Sequence, residues 1–195
     1  GDRVRAVRTA NGETITARQG VALLGNSEVA AMVRTHLRLP VWNLCLQVLV
    51  SKPLTVIPFR HLTGHASRTV SLKREGADRI MISGGWRGIW DPSEQTGIVD
   101  PDQVTGNVDE AIAVYPDLRG LEVETADVGH LESFSIDAVP IVDTLSNCPN
   151  AWFGTGWCGH GWAIAPTISQ DLAAWMISGE KPVELTPFAL SRFGY

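Results

Sequence analysis

Cysteine and clustered positive charge are both scarce in this chain of 195 residues. Three widely spaced cysteines form neither a disulfide framework nor a zinc site, so we predict no metal site and a reducing, cytoplasmic location. The net charge is −5 and no run of Lys and Arg occurs, which argues against nucleic acid as a partner. No apolar stretch approaches the roughly 18 residues that span a bilayer, and the first residues lack a signal-peptide core.

A complete dinucleotide-binding fingerprint is also missing. It consists of a G-x-G-x-x-G turn after an apolar strand, followed about 20 residues later by an acidic residue that binds ribose. The composition is otherwise that of a soluble globular protein, with 44% apolar and 19% charged residues. The chain is long enough for one domain with a sizeable core, or for one domain and part of another.

The most informative stretch present is 154–166, where four glycines precede a helical pattern over 167–178. We place Pro166 in the first turn of this helix and Gly179 just past its end. Glycines allow the backbone to lie flat against a ligand, and the helix directs N–H groups and partial positive charge toward it. This pattern suits an anion, or a ring that becomes negative on reduction. A tight strand–helix turn is the alternative interpretation.

Two blocks carry a family resemblance. The sequence G-W-C-G-H-G-W-A-I-A-P at 156–166 resembles the C-terminal signature of the D-amino-acid oxidase-like (DAO) FAD-dependent oxidoreductases. The block 129–141 is similar to the family's W-A-G-I-E-G-F-T-P-D-G-x-P, with Glu132, Phe134, Asp137 and Pro140 at matching positions. The resemblance is to the glycine oxidase and sarcosine oxidase β subunit types. Two blocks in this order form a fairly specific signal.

The chain departs from the family pattern at three positions. Ala163 stands where monomeric sarcosine oxidases carry a lysine that holds the substrate carboxylate. Ala138 and Asp143 replace glycines, which puts the local turn geometry in doubt, and we expect Asp137 to cap the backbone there.

The resemblance implies an α+β fold. Residues 41–125 would form the antiparallel substrate-binding sheet, while 1–40 and 126–195 would supply the C-terminal strands and helix of a Rossmann-like FAD-binding domain. Family members are about twice as long, so we expect the chain to be the C-terminal half, as a fragment or a split-gene product. Its partner in a heteromeric complex would be a polypeptide carrying the N-terminal dinucleotide-binding half.

Local patterns predict the individual elements. Asn11-Gly12 between alternating runs indicates a hairpin, and Ser27 is a plausible N-cap. The further expected elements are a buried strand at 21–24, a helix at 27–37, strands at 42–50 and 56–59, a hairpin of 69–75 with 79–84, a helix at 102–115, strands at 121–128 and 151–154, and a surface tail from Thr186.

By resemblance, the flavin ring of FAD would lie against the glycine loop and the ADP half near the end of the first buried strand. Residues expected to bind FAD are Gly25, Asn26, Gly156, Trp157, Gly159, His160, Gly161, Trp162, Ala163 and Ile164. His160 is also a catalytic candidate, through its ring or its main-chain N–H. A structural histidine bonded to backbone is equally compatible.

Arg87 is the second catalytic candidate, because a guanidinium matches a substrate carboxylate and the flanking Trp86 and Trp90 could cage an amine. A solvated loop arginine is the alternative. Trp157 completes the expected substrate-binding set. His130 precedes Asp137 where monomeric sarcosine oxidases carry a cysteine bonded to flavin; a partly buried, packing histidine is the favoured interpretation.

The implied function is oxidation of the C–N bond of an amino acid or N-alkyl amino acid by hydride transfer to flavin, with hydrolysis of the imine. A non-catalytic subunit or fragment that completes a partner's fold is the main alternative. A sugar- or peptide-binding module would explain the tryptophans but not the Gly-His-Gly triplet.

Overall fold

The computed structural model describes residues 2–194 and has the α+β architecture that the resemblance implied. The strands are β1 (Ala6–Arg8), β2 (Thr14–Thr16), β3 (Val21–Leu24), β4 (Val41–Cys45), β5 (Val48–Ser51), β6 (Thr63–Gly64), β7 (Ser71–Glu75), β8 (Arg79–Ser83), β9 (Ile89–Asp91), β10 (Thr96–Ile98), β11 (Val123–Asp127), β12 (Leu131–Ser135), β13 (Ile141–Leu145) and β14 (Cys148–Thr155). The α-helices are α1 (Ser27–Arg34), α2 (Pro101–Val114) and α3 (Gly161–Ser178). Short 3-10 segments follow at Pro116–Leu118, Val183–Phe188 and Leu190–Phe193.

The chain divides into two compact units. Unit 1 contains the residues up to Asn43 and those from Glu132 onward, and unit 2 contains Leu44–Leu131. The domain roles expected of 1–40, 41–125 and 126–195 stay predictions. Within residues 2–194, none of the helices combines the length and apolar character that a bilayer crossing requires.

Unit 2 is built on a five-stranded antiparallel sheet with the strand order β11-β5-β8-β7-β6. The predicted hairpin is confirmed as β7 and β8, joined by a turn with Gly76 at φ +65°. Alternate residues of β8, Ile80 and Ile82, are fully buried because successive side chains of a strand point to opposite faces. The predicted strand at 56–59 is wrong: Phe59 lies in the core with its ring 5.0 Å from that of Tyr115.

Helix α2 begins one residue before the predicted helix, and Asp100 caps it through a 3.0 Å bond from the amide of Asp102. Pro101 occupies the first turn, where its missing N–H costs nothing. Its inner face places Ala111 in the core of unit 2.

Unit 1 contains a three-stranded sheet in which β14 pairs antiparallel with β13 and parallel with β3. The predicted hairpin around Gly12 is confirmed as β1 and β2. Strand β3 is present, but its residues alternate between half-buried and exposed, and Leu24 is 39% exposed. The expected complete burial is wrong because β3 lies at the edge of this sheet.

Helix α1 begins at Ser27, so Asn26 rather than the predicted Ser27 occupies the N-cap position. The Asn26 side chain makes no capping bond, since its atoms are bonded to Glu132 and Ser133 instead. The segment predicted as a surface tail from Thr186 forms parts of two 3-10 segments, and Ala189 between them is buried whereas Thr186 and Pro187 are exposed.

Helix α3 begins at Gly161, well before the predicted start, and Pro166 lies inside it. The residues between Gly161 and Pro166 are mostly Trp, Ile and Ala, which tolerate a helix. A proline this near the start removes one hydrogen bond without ending the helix. Gly179 ends it at φ +78° as predicted.

Candidate functional site

A tight turn joins β14 to α3 through residues 156–160, which we call the glycine loop. Gly156, Cys158 and Gly159 have φ of +72°, +55° and +77°, so the backbone is left-handed at three of five positions. Cys158 is held there by its amide, which donates to the Ser133 carbonyl at 3.0 Å, and by burial of its thiol beside Ser135. The loop therefore turns sharply, with Gly156, Trp157 and Cys158 buried and Gly159 and His160 exposed.

The glycines of this region have the spacing G-x-G-x-x-G, at Gly154, Gly156 and Gly159. Gly154 lies in β14, and Gly156 and Gly159 lie in the turn before α3, so the spacing occurs in the strand–turn–helix context of a dinucleotide fingerprint. Within the described residues, however, α3 is followed by 3-10 segments rather than by a strand that could present an acidic ribose ligand. The fingerprint is therefore incomplete.

Trp157 forms the floor behind the glycine loop. Its side chain is buried, and its indole N–H donates to the Gly25 carbonyl at 2.8 Å. A Cβ added to Gly154 or Gly161 would come within 3.1 Å of the indole ring, so the ring packs directly against glycine backbone. This contact links β14 and α3 to the end of β3.

Glu132, at the start of unit 1's second segment, braces the loop from the other side. One carboxylate oxygen accepts the Gly159 amide at 2.8 Å, and the other accepts the Asn26 side-chain amide at 2.7 Å. The side-chain Oδ1 of Asn26 in turn accepts the Ser133 main-chain amide at 3.2 Å. We call Glu132, Asn26 and Gly159 the carboxylate bracket.

These residues enclose a cleft of about 420 Å³ within unit 1. It is lined by Leu24, Gly25, Asn26, Glu132, Trp157, Gly159, Gly161, Trp162 and Ala165. The structure thus brings together six residues expected to bind FAD, namely Gly25, Asn26, Trp157, Gly159, Gly161 and Trp162. Sequence reasoning missed Leu24, Glu132 and Ala165 as lining residues, although Glu132 belongs to the block that resembles the family.

Four expected FAD-binding residues do not line the cleft. Gly156 is the buried first residue of the glycine loop, and Ala163 and Ile164 lie in the first turn of α3. His160 is exposed at the N-cap position, where its side chain makes no capping bond. Its main-chain N–H, considered above as a ligand donor, is donated to the Trp157 carbonyl at 2.9 Å.

The partial positive charge at the start of α3 is not compensated by the helix's own first turn. Among residues 2–194, no side chain caps α3, and its first turn contains no acidic residue, in contrast to α2 with its Asp100 cap. The first amides of a helix lack an α-helical partner, and of those in α3 the Ala163 amide donates to the His160 carbonyl at 3.0 Å. The helix dipole adds partial positive charge at this end. An acceptor atom of a ligand in the cleft would find donors there.

The FAD dependent oxidoreductase family, DAO, matches residues 1–175. The chain belongs to this family. FAD-dependent oxidoreductase domain-containing protein 1 of Mus musculus is 32% identical over 79 residues, which are 40% of this chain and 16% of that protein. N-methyl-L-tryptophan oxidase of Salmonella enteritidis is 40% identical over 53 residues, 27% of this chain and 14% of the relative.

Solved structures share the DAO fold. Glycine oxidase from Geobacillus kaustophilus superposes with a TM-score of 0.76 at 18% identity, covering 96% of this chain and 48% of that one. L-proline dehydrogenase from P. horikoshii gives 0.75 at 17% identity, covering 98% and 51%. The chain thus spans about half the length of these DAO-fold structures.

DAO family members bind FAD, and the cleft fits part of this cofactor. Its volume lies in the range of roughly 300–1,000 Å³ that is usual for ligand pockets. A Cβ built on Gly159 would meet nothing within 4 Å, so the loop adjoins open space where a planar ring could approach. Apolar surface from Leu24 and Trp162 lines the rim, and Trp162 is 97% exposed.

Of the expected substrate-binding residues, Trp157 is the buried residue of unit 1 described above, whereas Arg87 and Trp86 lie in unit 2. Arg87 is exposed and, with Trp86, lines a cleft of about 340 Å³ that also contains Gln103. The Trp86 indole donates to the Thr69 carbonyl at 2.6 Å and packs on Gly106 of α2. Trp86 is therefore structurally anchored, and the substrate-binding roles of both residues stay predictions.

The expectation for His130 is wrong, whereas that for Asp137 is confirmed. His130 is exposed, so the partly buried environment expected for it is wrong. Asp137 caps the backbone as expected, by accepting the Val139 amide at 3.1 Å. Arg192 binds both oxygens of this carboxylate, at 2.7 and 3.1 Å, and thereby holds the pKa of Asp137 well below its usual range. Ala138 follows at φ +59°, in a left-handed conformation that the family provides with glycine.

Proposed function

We propose that this chain forms the flavin-ring side of the FAD site in an oxidoreductase that oxidises the C–N bond of an amino acid or N-alkyl amino acid. The observation that supports this most strongly is the cleft in which Gly159, Gly161 and Trp157 meet at the uncapped start of α3. The names of glycine oxidase, N-methyl-L-tryptophan oxidase and L-proline dehydrogenase share an amino acid as substrate.

FAD, when bound, supplies the chemistry by accepting hydride from the substrate α-carbon, after which water hydrolyses the imine. The first-turn amides of α3 would hold an acceptor atom of the ring and stabilise negative charge on it. Trp157 would support the glycine backbone against which the ring lies. Leu24 and Trp162 would exclude water from the ring edge.

Part of the FAD site is proposed to come from outside this sequence. The dinucleotide fingerprint is incomplete within the described residues, and the matching structures are about twice as long. The pyrophosphate-binding segment would be supplied by another part of the same polypeptide or by a partner subunit. We propose a cytoplasmic location, because the three cysteines form no disulfide framework.

The proposal is tested on the complete protein that contains this sequence. We expect a yellow protein with a flavin absorption spectrum, bleached anaerobically by at least one of glycine, sarcosine, L-proline and N-methyl-L-tryptophan. Absence of flavin after incubation with FAD would overturn the proposal. Bound flavin that no amino or N-alkyl amino acid bleaches would favour the non-catalytic subunit. A colourless pellet after acid precipitation would exclude a covalent bond through His130.

Arg87 provides a test of substrate binding. Replacing Arg87 with Ala should lower kcat/KM about ten- to a hundredfold, because a bidentate charged hydrogen bond to the substrate carboxylate is lost. FAD content should remain unchanged. Arg60→Ala removes another exposed arginine of unit 2 and is the control. Equal kinetics for both variants would contradict the assignment.

His160 is tested through the pH dependence of the reaction. If its ring transfers a proton, His160→Gln should lower kcat about a hundredfold or more and remove one limb of the pH–rate profile. His36→Gln, an exposed histidine of unit 1, serves as control. An unaltered profile would leave His160 as a structural N-cap residue only.

A further inference from the structure

We propose that Glu132 is a positioning residue of the FAD site, which couples the segment after β3 to the glycine loop and places a fixed negative charge in the cleft wall. This inference rests on the function proposed above. It concerns a residue for which the family resemblance supplied only a matching position.

The coupling follows from the geometry of the carboxylate bracket. The two Glu132 oxygens accept from Gly159 at 2.8 Å and from Asn26 at 2.7 Å, so each oxygen holds a different segment. Asn26 is anchored further by the Ser133 amide and makes no capping bond to α1. A single side chain therefore sets the separation of two segments that line the same cleft.

The charge of Glu132 has an effect separate from its hydrogen bonds to the two segments. Glu132 is the only ionisable side chain among the described residues that line the cleft. Within residues 2–194 it forms no ion pair, and both of its hydrogen-bond donors are neutral amides. A ring that fills a cleft of only about 420 Å³ lies close to this carboxylate. Fixed negative charge disfavours further negative charge nearby, so Glu132 should lower the reduction potential of the bound ring.

Glu132→Gln separates these effects from simple loss of volume. The glutamine amide retains one acceptor oxygen, but its NH₂ group faces a second donor, so one bond of the bracket is lost together with the charge. In the complete protein, we expect the FAD dissociation constant measured with the apoprotein to rise about ten- to a hundredfold. We also expect the reduction potential to become more positive.

Two further variants complete the test. Asn26→Ala removes one hydrogen bond of the carboxylate bracket without changing its charge. It should therefore weaken FAD binding, but it should not make the reduction potential more positive. Glu28→Gln removes an exposed charge from α1 of the same unit and should match the wild type in both measurements. If Glu132→Gln fails to fold, Asn26→Ala still tests the coupling.

The outcomes distinguish this inference from the proposed function. A wild-type protein that binds no flavin overturns the proposed function. A wild type that binds flavin, with unchanged affinity in both Glu132→Gln and Asn26→Ala, overturns the coupling alone. An unchanged or more negative potential in Glu132→Gln overturns the charge effect alone.

Discussion

Two turns of unit 1 follow the same construction but differ in what surrounds their carboxylates. The Asp137 turn places Ala138 at φ +59°, and the glycine loop places Cys158 at φ +55°, so each holds a non-glycine residue in a left-handed conformation. In each, a carboxylate accepts a main-chain amide: Val139 donates to Asp137, and Gly159 donates to Glu132.

The two turns differ in whether a cation neutralises the carboxylate. Arg192 neutralises Asp137 and also donates to the Val139 carbonyl at 2.6 Å, so the same guanidinium holds both the carboxylate and the main chain of this turn. Among residues 2–194, no cation forms an ion pair with Glu132, and this residue borders a cleft. Left-handed backbone strain is therefore part of a closed structural turn at Asp137. In the glycine loop, similar strain lies beside an open cleft, which is the arrangement expected of a binding site.

The largest effect is expected in the glycine loop. Gly156→Val places a β-branched residue at φ +72°, where its Cβ would lie 3.3 Å from that of Ser135. Left-handed strain and overpacking together should lower the free energy of unfolding by about 3 kcal/mol. Thermal unfolding of the complete protein would show this, with Gly120→Val as control, since that left-handed glycine has no neighbour within 4 Å. Equal loss in both variants would show that packing contributes nothing.

An intermediate effect is expected in the Asp137 turn. Arg192→Met removes the ion pair and the bonds to Val139 and Ala189, which should lower the free energy of unfolding by about 2 kcal/mol after allowance for partial exposure. The lowered pKa of Asp137 means that its stabilisation is complete above its unfolded value of about 3.9 and is lost as the pH falls below that.

The variant should therefore lose less stability than the wild type between about pH 4 and pH 2. Denaturant unfolding at several pH values measures this slope. Arg3→Met, an exposed arginine outside the turn, is the control. Parallel pH curves for the wild type and Arg192→Met would exclude Asp137 as a source of acid sensitivity.

The smallest effect is a gain. Ala138→Gly relieves left-handed strain at an exposed position and should raise the free energy of unfolding by roughly 0.5–1 kcal/mol, after the larger entropy of unfolded glycine is subtracted. Cys158→Gly relieves similar strain but loses the buried thiol contacts with Ser135, so no gain is expected. A comparable gain in both variants would show that these contacts are unimportant.

Patterns that depend on local chemistry were readable from the sequence. The hairpins around Gly12 and Gly76, and the α2 helix before Pro116, each follow from turn residues or caps next to periodic segments. Family resemblance added what periodicity could not provide, namely the DAO fold and the importance of 154–166. The exposure of β3 and the burial of Ala189 were missed because both depend on which elements pack around them.

The sequence predicted only part of the candidate site, because some of its contacts join residues that are distant in the chain. Glycines reveal where main chain must turn, so Gly159 and Gly161 could be named in advance. The role of Glu132 depends on bonds to Asn26 and Gly159, residues distant in the chain, and no local pattern contains that information. The early start of α3 was hidden by Pro166, whose usual position in a first turn suggested a later boundary.

Pro166 has a consequence for the motion of the cleft. Pro166 has no N–H to donate to the Trp162 carbonyl, so the opening turn of α3 lacks one backbone hydrogen bond. That turn should unravel at lower free energy than the rest of the helix, and its amides should exchange with solvent deuterium sooner. A ligand seated on Gly161 would slow this exchange, and the slowing would report occupancy of the cleft without any turnover.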